Sequence, residues 1–256
     1  MSTKQHRVAL VTGALGGIGR AIAQQFAADG FAVALNDVAD RDIGEAAATD
    51  PACAYFQADL TAVDAPAALV EAVRARYGRL DVLVNNAGIQ RVSPVIDFDM
   101  TDWTRVLGLN LTAAFAMTKA VLPLMTEASW GRIINIASAH GLVASPYKAA
   151  YVAAKHGLVG FTKTVALEVA ELGITANAIC PGYVRTPLVE RQIDDQAAAH
   201  RMSREEVIRE VILAAQPTCR FIEPEEVASL AAYLATDAAR SITGAALAID
   251  GGWTAR

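Results

Sequence analysis

Short apolar runs alternate along the chain with longer stretches whose apolar residues recur at helical spacing. The runs RVALVTG (7–13), FAVALND (31–37), residues 53–57, RLDVLVNNAG (79–88), GRIINIAS (131–138), GITANAICPG (173–182) and AALAIDGG (245–252) read as strands. Between them GIGRAIAQQFAADG, APAALVEAVRARYG, a stretch from Asp99 to Met125, and YVAAKHGLVGFTKTVALEVAEL read as helices. Strands that return to the same direction through a helix form a parallel sheet. Right-handed crossovers then lay helices on both faces, so the expected fold is a doubly wound α/β domain. No linker, repeat or low-complexity segment divides the chain, and residues 1–256 read as one domain. Residues 185–220 break the alternation. They are charged and helical in pattern, and they follow the sixth strand directly. Ligands bind at that edge of such sheets, so this segment is expected to be a substrate lid.

Composition sharpens the picture in a few places. A 54% hydrophobic chain supports a large core and excludes disorder. The formal charge of -5, without a long basic run, argues against a nucleic-acid partner. An anionic small molecule would need a local positive group set against that global field. Cys53, Cys180 and Cys219 are odd in number and match neither a disulfide framework nor a metal site. No metal is expected. No signal-peptide core precedes the first strand, and no apolar run free of glycine or charge is long enough to span a membrane. A cytoplasmic location is the resulting expectation.

The turn Thr12-Gly13-Ala14-Leu15-Gly16-Gly17-Ile18-Gly19 joins the first strand to the first helix. Glycines there let backbone approach a pyrophosphate, which the N–H groups of the helix start would hold. Asp37 ends the second strand, where a carboxylate suits adenosine ribose hydroxyls and repels a 2′-phosphate. NAD is therefore expected rather than NADP. Asn86, Ala87 and Gly88 after the fourth strand, and Pro181 and Gly182 after the sixth, form turns on the same edge. Tyr151 and Lys155 lie four apart, on one face of a helix, and Ser138 precedes the tyrosine by thirteen positions. A phenol titrates near pH ~10, and bringing it to about 7 takes roughly 4 kcal/mol. One positive charge at ~4 Å supplies about that at an effective dielectric near 20. The pair is thus expected to act as a general acid/base.

Taken together, T-G-x-x-x-G-I-G, N-N-A-G, Asn110, Ser138, Y-x-x-x-K and P-G resemble the short-chain dehydrogenase/reductase family across the whole chain. The resemblance implies a Rossmann-type fold with seven parallel strands, a nicotinamide cofactor and a homotetramer. It implies Tyr151 as acid/base, Lys155 lowering its pKa and holding the nicotinamide ribose, Ser138 on the reacting oxygen, and Asn110 holding a relay water. It assigns cofactor contacts to Gly13, Gly17, Ile18, Gly19, Asp37, Asp59, Leu60, Asn86, Ala87, Gly88, Pro181, Gly182, Val184 and Thr186, with Asp59 and Leu60 against the adenine. The helices near 112–125 and 151–171, with Ala113, Ala114, Ala153, Ala154, Gly157 and Gly160, are the implied packing faces between subunits.

More narrowly, INIASAHGLVAS, AYVAAKHGLVGFTK, ITANAICPG, VRTPLVERQI and DGGWTAR look like NAD-dependent (R)-3-hydroxybutyrate dehydrogenases. That resemblance implies a small 3-hydroxy or 3-oxo acid whose carboxylate is bound by Gln90, His140, Lys148 and Gln192. Tyr183 stands where close relatives carry a tryptophan, and it is expected to face the substrate methyl. Trp253 would close the same pocket, from its own subunit or a neighbour's. Tyr183 and the pair Pro146-Tyr147 depart from the pattern and bear on acid chain length. Two other readings are a 3-oxoacyl thioester reductase preferring NADPH and a nicotinamide-binding protein without turnover.

Overall fold

A computed structural model of the chain describes residues 6–48, 50–187, 189, 190, 193, 194, 197 and 202–255. Seven parallel strands run in the order β3-β2-β1-β4-β5-β6-β7. They are β1 (Val8–Thr12), β2 (Ala32–Asp37), β3 (Cys53–Gln57), β4 (Val82–Asn85), β5 (Gly131–Ile136), β6 (Ile174–Pro181) and β7 (Ala246–Ile249). β1, β4, β5 and β6 are buried along their whole length, as strands covered on both faces must be.

Helices α1 (Gly17–Ala28), α2 (Arg41–Ala47), α3 (Ala65–Tyr77), α4 (Met100–Leu107), α5 (Ala113–Ala128), α6 (Ala149–Glu168), α7 (Arg204–Val207) and α8 (Pro224–Leu234) cover the sheet. One layer packs Ile22 and Phe26 of α1 with Val227, Ala231 and Leu234 of α8 against β1, β2 and β5. The other packs Leu69 and Val73 of α3, Met117 and Val121 of α5, and Val165 of α6 against Leu10, Leu83 and Ile133.

The alternation of runs does not single out α2 or α8, and the structure adds both. The start of α8 carries its own signal. Pro224 sits in the first turn, while Glu223 and Glu226 form a reciprocal capping box. The stretch from Asp99 onward departs from a regular helix at its middle. Gly108–Thr112 is a π-turn joining α4 to α5, and Asn110 lies inside it. Such a turn re-aims one side chain without ending the helix. By length and composition the joined helix Met100–Ala128 would suffice to cross a membrane, although it carries Gly108 and charged residues. Here Val106, Met117, Val121 and Met125 are core side chains.

No strand occurs among the described residues of 185–220. Val189, Ile193, Val207, Ile212, Leu213 and Phe221 form a separate apolar cluster that packs against Tyr183. An isolated bridge from Val184 to Ile222 closes the base of the segment.

Candidate functional site

The strand order reverses between β1 and β4, and the turns leaving these strands face each other across a cleft. Thr12 Oγ1 accepts from the backbone N–H of Asn86 (2.9 Å) and Ala87 (3.0 Å). Asn86 Nδ2 in return donates to the carbonyls of Thr12 (2.8 Å) and Gly13 (3.0 Å). Asn86 therefore braces the glycine turn as well as lining the cleft. Gly13 and Gly17 adopt φ of +62° and +49°, where a side chain would be strained. A Cβ on Gly19 would press on the Gly13 carbonyl oxygen and Asn86 Nδ2. The start of α1 has no side-chain cap and no acidic residue in its first turn. Its N–H groups are thus left to an anion. We expect Gly19→Ala to force the β1 turn from α1, costing about 1–3 kcal/mol of stability. Its affinity for a dinucleotide should fall with it, and thermal unfolding plus cofactor titration measure both.

The cleft measures about 460 Å³ and is lined by Gly13, Gly17, Ile18, Asp37, Leu60, Asn86, Ala87, Gly88, Asn110, Tyr151, Lys155 and Thr186. Most of the expected cofactor set is brought together there, while Pro181, Gly182 and Val184 line the adjoining cavity and Gly19 lies behind the turn. These residues fit a dinucleotide: glycines crowd the phosphate end, a carboxylate sits at the rim, and a buried lysine lies at the far end. Asp37 Oδ1 accepts from Val38 N (2.8 Å) and Oδ2 from Leu15 N (3.3 Å), which fixes it at the end of β2. No arginine lines the cleft among the described residues. Asp59, exposed beside the cleft, accepts from Thr61 N (2.9 Å) and Oγ1 (2.7 Å) on its Oδ1 in a local turn. Ala58 and Leu60 on either side line the cleft.

A second cavity of about 120 Å³ adjoins the first and shares Ile18, Gln90, Ala137, Tyr151 and Thr186 with it. Ser138, His140, Lys148, Pro181, Gly182, Tyr183, Val184, Val189 and Trp253 complete its wall. The expected substrate residues thus converge, except Gln192, which lies outside the described residues. Trp253 reaches the cavity within its own chain. Its ring stacks on Tyr183 at 5.6 Å and 4°, and meets His140 edge-on at 5.0 Å.

Electrostatics in this corner differ from the expectation drawn from spacing alone. Burial pushes the Tyr151 phenol above its ordinary value, and the hydrogen-bonding Ser138 side chain beside it only opposes that rise. Lys155 Nζ donates to the Ile136 carbonyl at 2.7 Å and lies 5.6 Å from the centre of the Tyr151 ring. Its own pKa is brought down to about 8 by burial. The attraction of one nearby charge is outweighed by desolvation, which dominates for two groups buried together. The phenol is therefore in its protonated, acid form at neutral pH. His140 is likewise brought down to about 4 by burial and by the nearby Lys148 charge, so it is a neutral imidazole. Its Nδ1 lies 3.4 Å from Ser138 Oγ and its Nε2 2.9 Å from Ser145 Oγ. Lys148 brings a basic side chain to the cavity wall.

Asn110 Nδ2 donates to the carbonyls of Ile89 (2.8 Å) and Val106 (2.9 Å). Among the described residues its Oδ1 is buried without a partner, as is Gln90 Nε2. A buried amide atom of this kind wants a ligand or water. Gly88 approaches so closely that a Cβ there would meet Asn110 Oδ1. Two supports escape sequence reasoning. Gln216 is fully buried, accepts from Tyr183 N and donates to the Arg220 carbonyl at 2.8 Å. Asp250 accepts from Gly252 N (3.0 Å), Thr254 N (2.8 Å) and Thr254 Oγ1 (2.6 Å), which orders the turn bearing Trp253. The Asp-Gly-Gly run announces that second turn, whereas nothing in the sequence announces Gln216.

A family model described as enoyl-(acyl carrier protein) reductase matches residues 13–254. A D-beta-hydroxybutyrate dehydrogenase of Rhizobium meliloti (strain 1021) is 50% identical, with 98% of this chain and 99% of that protein covered. Another from Cupriavidus necator is 45% identical, with 98% of each covered. Among solved structures, a variant actinorhodin polyketide ketoreductase with NADPH superposes with a TM-score of 0.93 at 38% identity, covering 100% of both chains.

Proposed function

The chain belongs to the short-chain dehydrogenase/reductase family, and we propose that it interconverts (R)-3-hydroxybutyrate and acetoacetate with NAD as the hydride carrier. The observation that carries this reading is the small cavity, where Lys148 and Gln90 join the Tyr151–Ser138 pair. An acid with a carboxylate close to its reacting carbonyl engages both ends of that set at once. The two relatives of the same activity, at 50% and 45% identity, support the same substrate.

The bound nicotinamide supplies or accepts the hydride. The chain does the rest. In the reducing direction the Tyr151 phenol gives its proton to the substrate oxygen, and Ser138 donates a hydrogen bond to that oxygen as charge develops. Lys155, held on the Ile136 carbonyl, places a positive charge behind the phenol as it turns to phenolate. Lys148 and Gln90 hold the carboxylate and so select which face of the carbonyl is presented. Asp37, at the rim of the larger cleft with no arginine beside it, favours a free ribose hydroxyl and hence NAD.

The reading includes a homotetramer. Ala113, Ala114 and Ala154 are buried within the chain, but Ala153, Gly160 and Phe115 remain outside on the same pair of helices, where Phe115 meets Phe161 at 5.9 Å. It also includes a cytoplasmic location, in keeping with three free cysteines.

A reductase of 3-oxoacyl thioesters is the second reading, favoured by the NADPH of the similar ketoreductase structure. One assay separates the two. NADH formation at ~340 nm is expected with NAD and (R)-3-hydroxybutyrate, with the (S) isomer and NADP giving less than about a tenth of that rate, the span of one 1.4 kcal/mol preference. Turnover confined to NADPH and an acyl thioester would replace the acid reading with the thioester one.

A further inference from the structure

Lys148 is a cation without a carboxylate partner among the described residues, in a chain whose acidic residues outnumber its basic ones by 27 to 22. Its Nζ donates to the Tyr183 hydroxyl oxygen at 3.2 Å and lies 5.3 Å from the centre of that ring. Tyr183 is itself fixed from several sides. Its N–H is taken by the buried Gln216 side chain, and its carbonyl accepts from Ile222 N at 3.0 Å. Its ring lies flat on Trp253, which His140 holds at its edge. The hydroxyl is thus set by backbone and ring packing rather than swinging on a loose side chain. Its oxygen accepts from Lys148, and none of the described residues accepts its proton.

We propose that the Tyr183 hydroxyl, aligned and polarised by Lys148, is a second donor to the substrate carboxylate, so that the two side chains form one anion-binding unit. The proposal rests on the reading of the small cavity as the site of a short acid, and it assigns that acid's charged end to Tyr183 rather than its methyl. An ammonium donating to a phenol oxygen makes the phenol a stronger donor in turn. The ammonium keeps two further N–H groups of its three for the same anion. A carboxylate can take both kinds of donor, whereas an ester or thioester carries neither the charge nor the second anionic oxygen. The unit therefore selects free acids over their acyl derivatives.

The test compares the wild type with Tyr183→Phe, which keeps the ring stack and removes only the hydroxyl. The substrates are acetoacetate and its uncharged methyl ester. KM for acetoacetate is expected to rise about tenfold, the value of one charge-assisted hydrogen bond, with a smaller change in kcat. KM for the ester should rise less, because its uncharged oxygen takes only a neutral hydrogen bond from the Tyr183 hydroxyl. Lys148→Ala should raise KM for the acid at least as far, and adding Tyr183→Phe to it should then cost little more, since the unit is already broken. An unchanged KM in Tyr183→Phe, or equal losses for acid and ester, would overturn the proposal.

Equilibrium binding of acetoacetate to the wild type and to Tyr183→Phe, followed by tryptophan fluorescence, gives a readout that needs no turnover. Binding that depends on Tyr183 without reduction of acetoacetate would sink the proposed reaction and leave this unit standing. Turnover with a KM indifferent to Tyr183 would do the reverse. Neither binding nor turnover of any short acid would sink both.

Discussion

Tyr151→Phe is expected to lower kcat by about 10²–10⁴-fold, the span that positioned proton transfer contributes. The variant deletes one hydroxyl from a ring whose position is set by α6 and by the T-shaped contact with His140 at 6.0 Å. Nothing in the glycine cradle or at Asp37 depends on that hydroxyl, so cofactor affinity should stay within about twofold, well inside one 1.4 kcal/mol step. The pH dependence carries more information than the loss itself. Burial raises the phenol's pKa, so reduction, which needs the proton, should proceed at neutral pH. Oxidation needs the phenolate, and its rate should climb from neutral pH toward about 8, where Lys155 begins to lose the charge that stabilises the phenolate. In Tyr151→Phe that climb should vanish. Stopped-flow titration of NADH and steady-state rates across pH measure both. A variant that keeps both its rate and its pH profile would remove Tyr151 from the chemistry.

The sequence made most of this arrangement legible, and the reasons are local. β1, β4, β5 and β6 are buried runs closed by turn residues, and the glycine spacing after β1 places a phosphate site before any coordinate is known. Tyr151 and Lys155 share a face because four residues are about one helical turn. What the sequence does not carry is the balance between burial and charge. Spacing put an ammonium beside a phenol and suggested a lowered pKa, while the fold buries both and reverses the direction. The same holds for Tyr183, whose partner Lys148 lies 35 residues away in sequence. Asn110 was legible as a residue, but the π-turn that aims it was not, because an extra residue in a helical turn leaves the hydrophobic period almost intact.

Lys155→Met should abolish turnover and at the same time stabilise the fold. The loss of rate follows from removing the one buried cation behind Tyr151, worth about 10²–10³ in kcat for a preorganised group of this kind. The gain in stability follows from the sign of the pKa shift. Lys155 titrates near 8 in the folded chain against a reference of 10.5, so folding disfavours its proton. Between those values the unfolded chain binds a proton that the folded chain has released, and wild-type stability should rise with pH across that window. Below about pH 8 the ammonium is charged in both states and its burial costs about 3 kcal/mol. Methionine removes that cost but leaves the Ile136 carbonyl without its 2.7 Å donor, which takes back about 1–3 kcal/mol. The net gain at pH 7 is then about 1 kcal/mol, or a Tm higher by about 2–4 °C for a chain of this size. Differential scanning at fixed protein concentration, repeated from pH 7 to pH 10, reads both the offset and its disappearance as the wild-type lysine discharges. A variant with a lower Tm at every pH would mean that the hydrogen bond to Ile136 outweighs the buried charge. Lys155 would then hold the strand end together as well as serving the reaction. A higher Tm with lost turnover would identify the ammonium as a group retained against the interest of stability, as expected of a charge that acts only when Tyr151 gives up its proton.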